Sequence, residues 1–239
     1  MSAKNSNKRE IVIIVIGLTG AGKSFFVNKA TGGKNAEAVS DSQTSSAAPL
    51  KMITLPQRVD GNLVQIIDTR GFDDTNSKIF DAATWSNMTR QLTDIRTENP
   101  KRLFGAIYLT SFRSDRVQEA DKKNLETFLL LYGTNVPRKV VLASNRGTQG
   151  KHDELVRLAP WNTITNNGSH DAHFSGGQES ALAIVEKVVQ IIMADQRGFE
   201  FNEKSIAKKL EELGSLEQKE YKKRQSGLQK FFSMLRFWK

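Results

Sequence analysis

Ile11-Val12-Ile13-Ile14-Val15-Ile16-Gly17-Leu18-Thr19-Gly20-Ala21-Gly22-Lys23-Ser24 decides the fold of this chain. The first six residues are apolar and mostly β-branched, the pattern of a strand buried on both faces of a parallel sheet. Gly17 follows at once, and Gly17 to Ser24 satisfies G-x-x-x-x-G-K-[ST]. Between a strand and a helix this spacing has a physical meaning. Glycines let the backbone curl until successive amide N–H groups face inward, and the helix N-terminus adds partial positive charge, so the segment suits phosphate oxygens. Lys23 would reach the β and γ phosphates and the Ser24 hydroxyl would ligate Mg²⁺, with Gly17, Thr19, Gly20, Ala21, Gly22 and Phe25 completing the cradle. An ordinary Gly-rich turn is the competing reading, and the strand before it and the helix expected from Lys23 weigh against that.

Working outward, Thr31 to Pro49 is rich in Gly, Ala, Ser, Thr and Asn and reads as a long loop. Lys51 to Val59 and Asn62 to Ile67 are strand-like and flank Asp60-Gly61, a two-residue hairpin signal that makes the second and third strands antiparallel. Beyond them the spacing predicts helices over Ser77 to Thr97, Glu119 to Leu131, Asp153 to Leu158 and Glu179 to Ala194. Strands are expected at Leu103 to Leu109, Val140 to Ala143 and Asp171 to Phe174. The alternation predicts a three-layer α/β domain with a mostly parallel sheet, one antiparallel hairpin strand and a C-terminal helical extension, and the phosphate-loop motif within it points to a P-loop NTPase. Residues 1–9 are expected to be a mobile basic arm, 10–197 the domain, and 198–239 a helical basic tail.

The 239 residues include 38% hydrophobic and 26% charged side chains, within the range of ordinary globular proteins. The absence of cysteine excludes disulfides, thiol nucleophiles and Cys-ligated metals, and suits a reducing, cytoplasmic setting. The segment Met1 to Glu10 is polar and basic, unlike a secretory signal. The longest apolar run of the chain, Ile11 to Ile16, falls far short of the roughly 20 residues that cross a bilayer. A net charge of +9 favours acidic partners, yet no nucleic-acid-binding motif accompanies it, so no nucleic acid is expected.

Asp68-Thr69-Arg70-Gly71 closes the third strand as D-x-x-G. The Asp68 carboxylate would hold the Mg²⁺ hydration shell, and the Gly71 amide would sense a γ-phosphate. A phosphate loop followed by an antiparallel hairpin ending in D-x-x-G is the layout of GTPases rather than small-molecule kinases. Thr44 is the candidate switch threonine that joins the metal, with Ser42, Ser45 and Ser46 as competitors and a solvated linker as the alternative.

Asp68-Thr69-Arg70-Gly71-Phe72-Asp73-Asp74-Thr75 resembles the "DTPGFDDT" segment of septin-like, immune-associated nucleotide-binding (GIMAP-type, paraseptin) GTPases. Gly105 to Leu109, Ser114-Asp115-Arg116, Asn124 through Phe128 and Glu179 to Leu182 extend the resemblance over about Ile11 to Ile192. It implies GTP and GDP binding with Mg²⁺, slow hydrolysis, and homo-dimerisation or oligomerisation in the nucleotide-bound state. Arg116 matches an arginine of the family and, supplied across a dimer, would stabilise charge on the γ-phosphate; a plain surface arginine is the alternative. Arg70 stands where the family has proline, and Phe72 where Ras-like enzymes carry a water-orienting glutamine, though hydrophobic residues there are normal for this family. After the strand Val140 to Ala143, general GTPases carry T/N-K-x-D, whereas this chain has Ser144-Asn145-Arg146-Gly147, without the aspartate that reads guanine. Asn145 would contact the base and Arg146 cover it. Alternatives to a GTPase switch are a non-hydrolysing nucleotide-bound scaffold and an ATP-using P-loop kinase.

His170 and His173 flank Asp171, and strand alternation explains them as well as a metal site does, with His152 expected to be distant and no cysteine to join them. In the tail, Ile206, Leu210, Leu213 and Leu216 recur at helical spacing and are expected to pack on the domain or on a second copy. Residues 227–239 carry Leu228, Phe231, Phe232, Leu235 and Trp238 among Lys and Arg, the pattern of a peripheral membrane element or of a helix docking in a protein groove.

Overall fold

The computed structural model describes residues 8–33, 50–69, 82–112, 119–132, 136–195 and 206–212. Its centre is β1, Glu10–Ile16, in which Val12, Ile14 and Ile16 face one apolar cluster and Ile11, Ile13 and Val15 face the other. Burial on both faces follows from the continuous apolar run, since a strand with solvent on one side would alternate with polar residues. β1 is followed by α1, Lys23–Ala30. The hairpin comprises β2, Lys51–Thr54, and β3, Leu63–Asp68, which pair antiparallel. Its Asp60-Gly61 turn has φ of 48° and 78°, the paired left-handed conformation of a type I′ turn. β2 is shorter than the expected Lys51 to Val59 because Pro56 has no N–H to donate to a ladder.

The remaining elements alternate. They are α2, Ala82–Glu98; β4, Leu103–Ser111; α3, Glu119–Tyr132; β5, Val140–Asn145; α4, Gln149–Leu155; α5, Trp161–Asn166; β6, His170–Phe174; and α6, Gln178–Ala194. The sheet order is β2-β3-β1-β4-β5-β6, with β2 alone antiparallel to its neighbour. The protein is therefore an α/β fold on a six-stranded, mostly parallel sheet. α1 and α6 cover one face through Phe26, Val27, Ile184, Val185 and Val188. α2, α3, α4 and α5 cover the other through Trp85, Leu92, Phe128, Leu155 and Trp161. Gly105 lets α6 lie close to β4, for a Cβ there would sit 2.6 Å from Ile192 Cδ1 and 2.8 Å from Val188 Cγ1.

Two local expectations change. α4 starts at Gln149 rather than Asp153, because the Thr148 hydroxyl accepts from the Lys151 N–H and caps the helix early. α5 has no counterpart in the sequence reading; one turn and a half, rich in Asn and Thr, has no strong helical signature, and burial of Trp161 and Ile164 holds it in place. Residues 206–212 are helical and their Ile206 and Leu210 lie in the α2–α3 cluster, so this part of the tail packs on its own chain. Leu213, Leu216 and residues 227–239 lie outside the described residues, as do Met1 to Asn7 of the basic arm. Among the described residues no helix is long and apolar enough to cross a membrane.

Candidate functional site

The strand order reverses direction beside β1, whose successor helix goes one way while β4 lies on its other side, and ligands of open α/β sheets collect at the C-terminal ends of strands at such a point. The register aligns Val15 with Asp68 and Ile16 with Tyr108, and Asn145 with Ser111, so the ends of β1, β3, β4 and β5 share one edge. There the chain from Gly17 to Gly22 curls over. Gly17 (φ 152°) has no room for a Cβ, which would strike the Leu109 carbonyl of β4. Gly22 (φ 93°) lies equally close to the Asn145 side-chain amide. Gly17 is thus required by the β4 backbone and Gly22 by its left-handed φ, independently of any ligand. The Ala21 N–H donates to the Leu18 carbonyl at 3.1 Å, closing the turn, while Thr19 and Gly20 are exposed at its tip.

Lys23 opens α1 and turns its side chain back under this loop, where it is 5% exposed. Its Nζ donates to the Gly17 carbonyl at 3.0 Å and the Leu18 carbonyl at 2.8 Å. Burial lowers its pKa from 10.5 to about 8, with the Asp68 and Asp121 carboxylates pulling it back up. At neutral pH the group remains an ammonium, partly stripped of water and aimed into the loop. Asp121, on α3, is a member of the site that no sequence motif marks. Its signal is an acid at the position that shares a helix face with buried Leu125 and Phe128.

The Ser24 side chain, on α1, lies within hydrogen-bonding reach of the Asp68 carboxylate. Burial raises the Asp68 pKa, opposed by that contact and by the Lys23 and Lys51 charges. Asp68 Oδ1 is buried and has no hydrogen-bond partner among the described residues. A hydroxyl beside a carboxylate with an unpartnered, buried oxygen is a hard-oxygen set of the kind Mg²⁺ takes, with water or phosphate filling the other positions. The residues present therefore fit that ion. Thr69 Oγ1 donates to the Val15 carbonyl at 2.6 Å and pins the end of β3 to β1.

Other expected site residues stand as follows. Asn145, 5% exposed, donates from Nδ2 to the Ala21 carbonyl at 3.0 Å, so its amide ties β5 to the loop. Arg146 is exposed, at φ 58°. Phe25 is 43% exposed, its ring 5.8 Å from Phe174 and 5.3 Å beneath Lys29 Nζ. Thr44, Gly71 and Arg116 lie outside the described residues, together with Ser42, Ser45, Ser46, Arg70 and Phe72. The structure brings together Lys23, Ser24, Asp68, Gly22 and Asn145, and adds Asp121. His152, expected to be distant, instead lies beside His173 and Asp171, because α4 packs its buried side over the paired β5 and β6, although among the described residues no group of three or more acids and histidines is arranged to hold a metal. Comparison of the chain with protein-family models and with curated proteins gives no match.

Proposed function

We propose that this protein is a nucleoside-triphosphate-binding switch of the P-loop G-domain type, with GTP and Mg²⁺ as its ligands and slow, dimerisation-dependent hydrolysis. The observation that carries the reading is the convergence of a buried ammonium and a Ser–Asp oxygen pair on one glycine-shaped loop at the strand-order reversal. In this reading the loop amides and the N-terminus of α1 take the phosphate oxygens. Lys23 supplies the positive charge that follows the negative charge developing on the phosphates. Ser24 and Asp68 would hold Mg²⁺, which when bound neutralises phosphate charge. The resemblance to septin-like and GIMAP-type GTPases supports guanine as the base, and it brings Thr44, Gly71 and Arg116 into the γ-phosphate-sensing and charge-stabilising roles. The absence of a base-reading aspartate from Ser144-Asn145-Arg146-Gly147 favours a second reading, an ATP-binding or unselective site, since the Asn145 amide, one N–H of which is held by the Ala21 carbonyl, is then the main polar group left there for a base.

Equilibrium binding of Mg·GTP and Mg·ATP to the full chain, with Lys23→Ala as control, tests the proposal. Binding of either that is lost in Lys23→Ala supports the phosphate site, and preference for GTP supports the guanine assignment. Absence of both, at millimolar nucleotide, overturns it. A hydrolysis rate that rises with protein concentration would separate an assembling GTPase from a non-hydrolysing scaffold.

A further inference from the structure

Four polar side chains that the phosphate site does not use are wired in series behind β5. Asp171 Oδ2 lies 3.0 Å from His152 Nε2, His152 Nδ1 lies 2.9 Å from Ser144 Oγ, and Ser144 Oγ lies 3.0 Å from His173 Nδ1. Ser144 continues the β5 face of Val140 and Leu142, toward α4, while Asn145 next to it turns to the opposite face and holds the Ala21 carbonyl. Asp and His bonded to Ser is the connectivity of an acyl-transfer triad. Ser144 is 0% exposed and is bonded by a second imidazole, so it serves as a bridge and not as a nucleophile.

Counting donors fixes the arrangement. A hydroxyl donates one hydrogen and accepts two. Asp171, when ionised, only accepts, so His152 must carry its proton on Nε2. Neutral His152 then accepts from Ser144, and His173 must donate its Nδ1–H to Ser144. One added proton is accommodated without losing a bond. His173 Nε2 takes it, the Nδ1 proton shifts to Ser144, Ser144 passes its own to His152, and the His152 imidazolium pairs with Asp171. A second proton is opposed, because Ser144 would then accept from both rings, its own buried hydrogen would lose its acceptor, and the two cationic rings, with centroids 6.1 Å apart, would repel.

We infer that Asp171, His152, Ser144 and His173 form a single-proton relay of positioning residues that sets the end of β5 and, through Asn145, the phosphate loop. The charged groups facing it are Asp171 on β6, Asp153 on α4, whose carboxylate favours the His173 cation, and Lys187 on α6, whose Nζ donates to the Asp171 main-chain carbonyl at 2.6 Å. Burial and the neighbouring His152 lower the His173 pKa, which opposes its protonation.

The test uses the full chain labelled with ¹⁵N-histidine, whose three histidines give a simple long-range ¹H–¹⁵N spectrum. At about pH 7.5 the expected tautomers are Nε2–H for His152 and Nδ1–H for His173. On acidification the two rings should respond together, and in Ser144→Ala each should titrate alone. The reverse tautomers, or independent titration in the unaltered protein, overturn the relay. The second readout rests on the proposed function: once acidification forces the second proton on, Mg·GTP affinity should fall by about 5-fold more in the unaltered protein than in His173→Asn, which keeps an N–H donor to Ser144 but takes no proton. Protonation of the nucleotide is common to both proteins and cancels in the comparison. Equal pH dependence in the two overturns the link to the loop. Should Mg·GTP bind at no pH, the proposed function fails and the tautomers alone decide the relay.

Discussion

Raising the pH from about 7 to about 9.5 should stabilise the nucleotide-free protein through one side chain, Lys23. The unfolded chain holds this proton with a pKa of 10.5 and the folded one with a pKa of about 8. Between those values the unfolded state binds more protons, so stability rises with pH. The whole gap, at about 1.36 kcal/mol per pH unit, corresponds to about 3.4 kcal/mol. Integrating only from about pH 7 to about pH 9.5 leaves about 1.9 kcal/mol, which for a chain of this size is about 4 to 8 °C in Tm. Stopping there avoids ionisation of Tyr108, whose pKa burial raises well above 10 and which acts in the opposite direction, holding its proton more tightly in the folded state. The assay is differential scanning of the unaltered protein and Lys23→Met over this range. All other titrating groups are shared, so the difference between the two slopes isolates Lys23. Parallel Tm curves, within about 1 °C, would show that Lys23 is not the desolvated ammonium on which the phosphate site depends.

The same charge governs binding: if only the ammonium form accepts triphosphate, affinity should weaken about 30-fold between about pH 7 and about pH 9.5, and an affinity flat with pH measured by calorimetry would oppose it. Asp68→Asn should remove the Mg²⁺ dependence of nucleotide binding while raising the nucleotide-free Tm at neutral pH. The raised Asp68 pKa means that the folded state loses stability as pH climbs through it, and the amide has no such charge to bury. Gly22→Ala forces a side chain into a left-handed backbone position against the Asn145 amide and should cost about 1–3 kcal/mol in chemical denaturation; an unchanged midpoint would refute the close approach. Gly105→Ala should cost about 1–3 kcal/mol as well, by pushing α6 from β4, without altering nucleotide affinity.

β1, the turn after it, α1 and the Asp60-Gly61 hairpin were legible because each is written in contiguous residues: an apolar run, glycines at positive φ, a two-residue turn. The pairing of Lys23, Ser24 and Asp68 was legible too, since a motif at one strand end and a carboxylate at the next needs only that the two strands be neighbours, as β1 and β3 are. What only the tertiary structure decided involves side chains far apart in the chain. Asn145 meets Ala21 across 124 positions because β5 ends level with the loop, and one N–H of its amide is thereby held by the backbone. Asp121 reaches the field of Lys23 from α3, and His152, Ser144, His173 and Asp171 meet because β5 and β6 pair in one register under α4. Local backbone preference is carried by neighbouring residues, whereas strand order, register and the face each side chain takes are settled only when the whole sheet closes.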